Sequence, residues 1–184
     1  MSAPVDRQPY LSQITKMNLF CFLTDEEIGQ FLSFAEVVAY EKEEKIIHLG
    51  DVSPFFYGIV SGSVHVTLRE LNDKEVFICS IQQGEMFGES AIFRSEKRTA
   101  DVTSSEPSVL LRVHRKQMMS FLQNFPQAGN KILMLIILSL LTKLREANQE
   151  LAFEKQSVID VDDIDSLVHD FMTGSAQIDT EPIF

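Results

Sequence analysis

The sequence predicts a mainly β protein with flanking helices, its strands packed as an antiparallel sandwich or jelly roll. Three observations carry this. Six short runs rich in β-branched and aromatic residues follow one another between Val37 and Val113, at the close spacing typical of all-β layers. Turn chemistry separates them at Gly50-Asp51, Ser61-Gly62, Asn72-Asp73 and Gln83-Gly84,. Helical periodicity holds on both sides, before Glu36 and after Val113.

In chain order, residues 1–9 are polar with two prolines and read as a flexible arm. Tyr10–Met17 reads as a short helix. Thr24, with Glu27 three residues on, forms a capping box that opens a helix whose Ile28, Phe31, Leu32 and Ala35 share one face,. The strand candidates are Val37–Tyr40, Lys45–His48, Phe55–Val60, Val64–Leu68, Glu75–Ile81 and Val109–Val113,. His114–Leu122 returns to helical period, and Asn124-Phe125-Pro126 marks a break. From Gln127 to about Lys155 runs the longest predicted helix, with Leu133, Ile137, Leu140, Leu144, Ala147 and Leu151 spaced as a heptad seam, the pattern of a homodimer face,. Its most apolar part, the eleven residues between Lys131 and Lys143, would span roughly 16 Å against about 30 Å of hydrocarbon and is too short to cross a membrane.

The stretch Gly84–Val102 carries the chemistry. Gly88 leads into Glu89-Ser90-Ala91-Ile92-Phe93, which reads as a helix start, and a helix start presents unpaired N–H groups to an anion,. Nine residues after Glu89 stands Arg98, whose planar guanidinium can grip a phosphate through two hydrogen bonds. Glu89 would repel that phosphate and is better matched to a hydroxyl donor such as a ribose. One acid for a sugar and one arginine with a helix start for a phosphate describe a nucleotide monophosphate pocket.

The residues Phe87-Gly88-Glu89-x-Ala91-Ile92 followed by Arg98-Thr99-Ala100-x-Val102 resemble the phosphate-binding cassette of the cyclic-nucleotide-binding domain family, shared by catabolite-activator-type regulators, regulatory subunits of cyclic-nucleotide-dependent kinases and gated channels. The entry unit Leu19–Ile28 and the turns at Gly50-Asp51 and Ile59–Val64 are similar to that family as well, so the likeness runs from about Leu19 to Leu144. It implies an antiparallel β-roll (jelly roll) with N-terminal helices, a phosphate-cassette helix and a long C-terminal helix. It further implies a cytoplasmic regulatory protein that binds a cyclic mononucleotide, cAMP or cGMP, through Phe87, Gly88, Glu89, Ser90, Ala91, Arg98, Thr99 and Ala100. The long helix would cover the base, with Asn148 and Arg145 as polar candidates. Ser90 departs from the family's larger residue, and Glu96-Lys97 stands where proline is common. Thr99 slightly favours cGMP. On this reading the chain divides into the arm at 1–9, the roll with its helices at 10–126, the closing and dimerisation helix at 127–156 and an acidic tail at 157–184.

Composition bounds the alternatives. The formal charge is −11, against a protein whose main task is holding nucleic acid. Residues 150–184 hold nine acids and one base, a net of −8, so the remainder carries −11 + 8 = −3. The tail is expected to contact a protein partner, and Asp165–Phe171 could form a short amphipathic helix. Cys21 and Cys79 lack any paired spacing and read as buried thiols in a reducing compartment. The four histidines are scattered, and the acidic run at Asp160–Asp165 lacks the glycine and closing glutamate of a calcium loop, so no metal is expected,. No nucleophile–base pair or Walker loop is present, which makes an enzyme the poorest reading. The alternative to a nucleotide sensor is an interaction module with a vestigial or differently occupied pocket.

Overall fold

Eight strands build two four-stranded antiparallel sheets in the computed structural model, which describes residues 4–69, 74–93 and 96–157, with the backbone alone at 150 and 153–157. The strands are β1 (Glu36–Tyr40), β2 (Lys45–Ile47), β3 (Phe55–Ser61), β4 (Val64–Arg69), β5 (Glu75–Ile81), β6 (Met86–Phe87), β7 (Asp101–Ser104) and β8 (Ser108–His114). One sheet has the order β1-β8-β3-β6, the other β2-β7-β4-β5. Six of these strands were legible as apolar runs. β6 has two residues, and β7, Asp101-Val102-Thr103-Ser104, has a single apolar one, so neither reads as an apolar run and the sequence reading named no strand there.

The first sheet is buried on both faces. Val37, Phe56, Val60, Val109, Leu111 and Val113 face a helical cluster with Phe20, Phe31, Phe121 and Ile132. The alternate residues Val38, Tyr40, Tyr57, Ile59 and Leu110, with Phe87 of β6, face the second sheet, against Ile47, Val64, Ile81 and Val102. Period-two packing on both sides makes such a strand read as a continuous apolar run, which is why Phe55–Val60 shows no alternation. The edge strand β5 is largely exposed, and its inner neighbour β4 is exposed at three of six positions.

The helices are α1 (Leu11–Ile14), α2 (Asp25–Leu32), α3 (Ser90–Phe93), α4 (Arg115–Asn124) and α5 (Pro126–Ser157), with 3-10 turns at Gln8–Tyr10 and Asn18–Phe20. The Tyr10–Met17 helix thus breaks into 3-10 and α pieces. The capping box forms: Thr24 Oγ1 accepts from Glu27 N–H at 3.3 Å while Glu27 Oε2 accepts from Thr24 N–H at 2.8 Å. Phe31 is fully buried, its ring 5.2 Å from Phe20, 5.0 Å from Phe34 and 5.4 Å from Phe121. The arm expected to be flexible is tied to β1 midway, where Pro4 bridges to Val38 and Val5 N–H donates to Val37 O. Both thiols are exposed, contrary to expectation. Cys21 lies just beyond a 3-10 turn and Cys79 on the outermost strand β5, where neither has a second layer to bury it.

The chain forms two compact units, Met1–Ser139 and Leu140–Phe184. The first runs past the expected boundary at 126, because Ala128, Ile132, Leu135 and Ile136 of α5 are core residues. Pro126–Gln149 is long and apolar enough to cross a bilayer, with 24 residues and a mean hydropathy of 1.3. The sequence reading stopped its count at Lys131 and Lys143, which that window tolerates. In the first unit, however, the helix is a core element: its apolar stripe is buried and Lys131 Nζ sits 2.8 Å from Glu27 Oε2 on α2. The turn at Asn72-Asp73, residues Arg94 and Ser95 and the acidic tail from 158, with its Asp165–Phe171 segment, lie outside the described residues.

The Lys131–Glu27 bond carries a pH signature. Hydrogen bonding to Lys131 holds the Glu27 carboxyl below its ordinary value of 4.5. A depressed carboxyl stabilises the fold above the unfolded pKa and loses that contribution as pH falls through the folded one. Thermal melts from pH 7 to 3 will therefore show a larger acid-side loss for the wild type than for Lys131→Met; parallel curves would refute the link.

Candidate functional site

The loop between β2 and β3 and the segment from β6 to β7 are bound backbone to backbone. Gly50 N–H donates to Arg98 O at 2.9 Å, and Arg98 N–H donates to Asp51 O at 2.8 Å. Three residues on, Asp101 accepts from Leu49 N–H at 2.8 Å and pairs with Lys45 Nζ at 3.2 Å. Burial alone would raise the Asp101 carboxyl, but these two partners hold it below its ordinary value. The loop and the cassette therefore behave as one clamp.

Arg98 is the most buried basic residue in it, at 6% exposure. Its guanidinium is held by main-chain carbonyls: Nη1 donates to Gly88 O at 3.3 Å, and Nη2 donates to Ser53 O at 3.1 Å and to Phe55 O. Nε is buried and has no hydrogen-bond partner among the described residues. Desolvation lowers the basicity of the group, opposed by Tyr57 and by the Glu89 carboxylate, and a guanidinium remains charged at neutral pH regardless. Three of five donors are thus spent on orientation, and a buried cation is left with an N–H that demands an acceptor.

Gly88 makes room for this arrangement. It adopts φ +75, and a Cβ there would stand 3.0 Å from Arg98 Nη1 and 3.5 Å from Phe55 O. Both the backbone conformation and the approach favour glycine. Gly88→Ala will displace the guanidinium, lowering stability by about 1–3 kcal/mol; a melting curve within 1 °C of wild type would contradict the contact.

The predicted site residues separate into groups. Phe87 is buried and stacked on Tyr57, with ring centroids 5.1 Å apart and planes 14° apart. Ala91 is buried with Ile92 and anchors α3. Glu89 and Ala100 are half-buried, while Ser90 and Thr99 are exposed. Glu89 lies within electrostatic range of Arg98, so the acid and the base read as a pair from the sequence are neighbours. α3 is only four residues long. The expected contribution of a helix dipole at an anion site shrinks to that of a single turn, since the macrodipole needs aligned peptides. Asn148 and Arg145 are exposed residues of α5 within the second unit. Sequence reasoning missed Ser53, Phe55, Tyr57 and Asp101. Ser53 and Phe55 act on Arg98 through carbonyls that every residue carries, so no residue type could have signalled them.

Residues 37–125 match the model of the cyclic nucleotide-binding domain family. The chain is 28% identical over 133 residues to the cyclic AMP receptor protein of Thermus thermophilus, covering 72% of this chain and 60% of that protein. It is 31% identical over 97 residues to the cGMP-dependent protein kinase egl-4 of Caenorhabditis briggsae, covering 52% of this chain and 13% of the kinase. A solved cyclic nucleotide-binding domain from Methylobacillus flagellatus superposes with a TM-score of 0.73 at 22% identity, over 84% of this chain and 88% of that one. The Thermus thermophilus catabolite activator protein superposes with a TM-score of 0.64 at 26% identity, over 75% and 63%. The chain spans about 60% of the length of the receptor-protein relatives it matches.

Proposed function

The chain carries a cyclic nucleotide-binding domain at residues 37–125, and from that premise we propose that it is a regulatory protein that binds a cyclic mononucleotide, cAMP or cGMP. The observation that carries the proposal is the buried Arg98 with its unpartnered Nε. A cyclic phosphate supplies the anionic acceptor that this N–H lacks, in a site where low dielectric strengthens a charge-assisted bond. Glu89 takes the ribose 2′-hydroxyl as a donor, and Phe87, Gly88, Ser90, Ala91, Thr99 and Ala100 form the surrounding wall. Two relatives are a cyclic AMP receptor and a cGMP-dependent kinase, which supports the ligand class and leaves both bases open. Calorimetry of the full chain against cAMP and cGMP tests the reading: saturable one-to-one binding of either is expected, and no heat with either at millimolar concentration would end it.

The transmission element of the proposal is α5. Ile137, Leu140, Leu144, Ala147 and Leu151 of the heptad seam are exposed, while Ala128, Ile132, Leu135 and Ile136 serve the core. A seam left over after the core is satisfied fits a second copy of the same helix. A ligand with differential affinity for two conformations of α5 would shift their populations. Sedimentation of the wild type is expected to report a dimer and Leu144→Asp a monomer; a monomeric wild type at high micromolar concentration would remove the dimer from the scheme.

A further inference from the structure

We infer that Asp101 is the positioning residue that presets Arg98 for its anionic ligand, because it fastens the turn from which two of the carbonyls gripping the guanidinium follow. This deepens the cyclic-phosphate reading of Arg98 and rests on it. The turn is His48–Asp51, closed by Asp51 N–H donating to His48 O at 3.2 Å, with Gly50 at φ +85. Three consecutive residues of it are bonded to the segment Arg98–Asp101. Leu49 N–H donates to Asp101 Oδ1 at 2.8 Å, Gly50 N–H donates to Arg98 O at 2.9 Å, and Asp51 O accepts from Arg98 N–H at 2.8 Å. The chain then runs on to Ser53 and Phe55, whose carbonyls take Arg98 Nη2. Of the three turn bonds only the one to Asp101 uses a side chain, so it is the one that a residue type decides.

β2 ends at Ile47, the register partner of Val102 on β7. One residue beyond that end, the Asp101 carboxylate continues the connection by taking the Leu49 N–H. Asp101 is 4% exposed, and its other oxygen lies 3.2 Å from Lys45 Nζ on β2, so its two oxygens hold both the strand that leads into the turn and the turn itself. A buried carboxylate keeps its charge only when it is paired and hydrogen-bonded, and both conditions are met here. A long side chain such as arginine loses considerable rotamer freedom when it binds. With the turn fastened, that loss is met during folding, because the carbonyls of Ser53 and Phe55 order the guanidinium before any ligand arrives, and preorganisation of this kind raises affinity without a new ligand contact.

Asp101→Ala removes both bonds, while Asp101→Asn keeps an Oδ1 acceptor for Leu49 N–H and gives up only the charge that pairs with Lys45, whose partly exposed side chain can turn to solvent. In the ligand-free full chain, hydrogen exchange followed by nitrogen-15 NMR is expected to run at least tenfold faster at the Gly50 amide and at Arg98 Nε–H in Asp101→Ala than in the wild type, although neither group is bonded to residue 101. Asp101→Asn is expected to restore wild-type exchange at both. Asp101→Val, which suits a strand, takes the place of the alanine variant if that one does not fold. Thr24→Ala lowers stability at the capping box of α2 and should leave both groups unchanged, which separates positioning from general support. Affinity for whichever of cAMP or cGMP binds the wild type is expected to fall roughly fivefold in Asp101→Ala, the effect of one lost hydrogen bond, and to return to within about twofold in Asp101→Asn. Acceleration confined to the Leu49 amide, failure of the asparagine to restore the two groups, equal acceleration in Thr24→Ala, or unchanged affinity of Asp101→Ala for a nucleotide that the wild type binds would overturn the inference. The exchange measurement decides whether Asp101 sets Arg98 even if the wild type binds neither nucleotide, an outcome that would count against the ligand reading alone.

Discussion

Arg98→Ala is expected to abolish the proposed cyclic nucleotide binding: its thermal melts with millimolar cAMP or cGMP should coincide with the ligand-free curve, whereas those of the wild type should shift upward. The magnitude follows from the site. A buried guanidinium contributes charge-assisted bonds of about 1.5–3 kcal/mol each, and losing two corresponds to at least a hundredfold in affinity at 1.36 kcal/mol per decade. The same substitution leaves the carbonyls of Gly88, Ser53 and Phe55 without their donor. The ligand-free variant should therefore also lose about 1–3 kcal/mol of stability. Retained binding within tenfold of wild type would mean that the anion is held elsewhere.

The largest expected effect on stability lies on the other side of the first sheet. Phe31→Ala removes a fully buried ring at the meeting point of Phe20, Phe34 and Phe121, where α2, α4 and the 3-10 turn at Asn18–Phe20 converge. A truncation of this kind costs about 3–5 kcal/mol, part of it from the cavity left behind, and in a domain of this size Tm falls by roughly 10 °C or more. The total stability of such a domain is about 5–15 kcal/mol, so the loss is a large share. Phe31 belongs to the helical cluster rather than to the one around Tyr57 and Phe87. Nucleotide affinity of the folded variant should thus remain close to wild type. A Tm within 2 °C of wild type would show that the aromatic cluster does not brace the helices.

Much of this was legible in the residues. Thr24 and Glu27 announced the start of α2, because a capping box is a local hydrogen-bond exchange that needs no tertiary partner. The heptad spacing of α5 and six of the strands were visible for a related reason: the helix writes its period, and each of these strands its run of β-branched and aromatic residues, into its own segment. The Gly88–Glu89 and Arg98 spacing singled out residues that the structure makes neighbours. The fate of the thiols was not legible, since burial of Cys79 depends on whether β5 is an inner or an outer strand, and sheet order is not a local property. The same holds for the boundary at Ser139 rather than 126, which reflects how far α5 packs on the roll.

What the sequence determined alone was the family of the fold and the identity of the charged pair, because both rest on residue types at fixed separations along the chain. What only the tertiary structure decided was how Arg98 is held. Its guanidinium rests on carbonyls of residues 10, 43 and 45 positions away in sequence, and a carbonyl has no residue type to betray it. Their convergence depends on β3 pairing with β6 and on the Gly50-Asp51 turn meeting Arg98, long-range contacts that exist only once both sheets have formed.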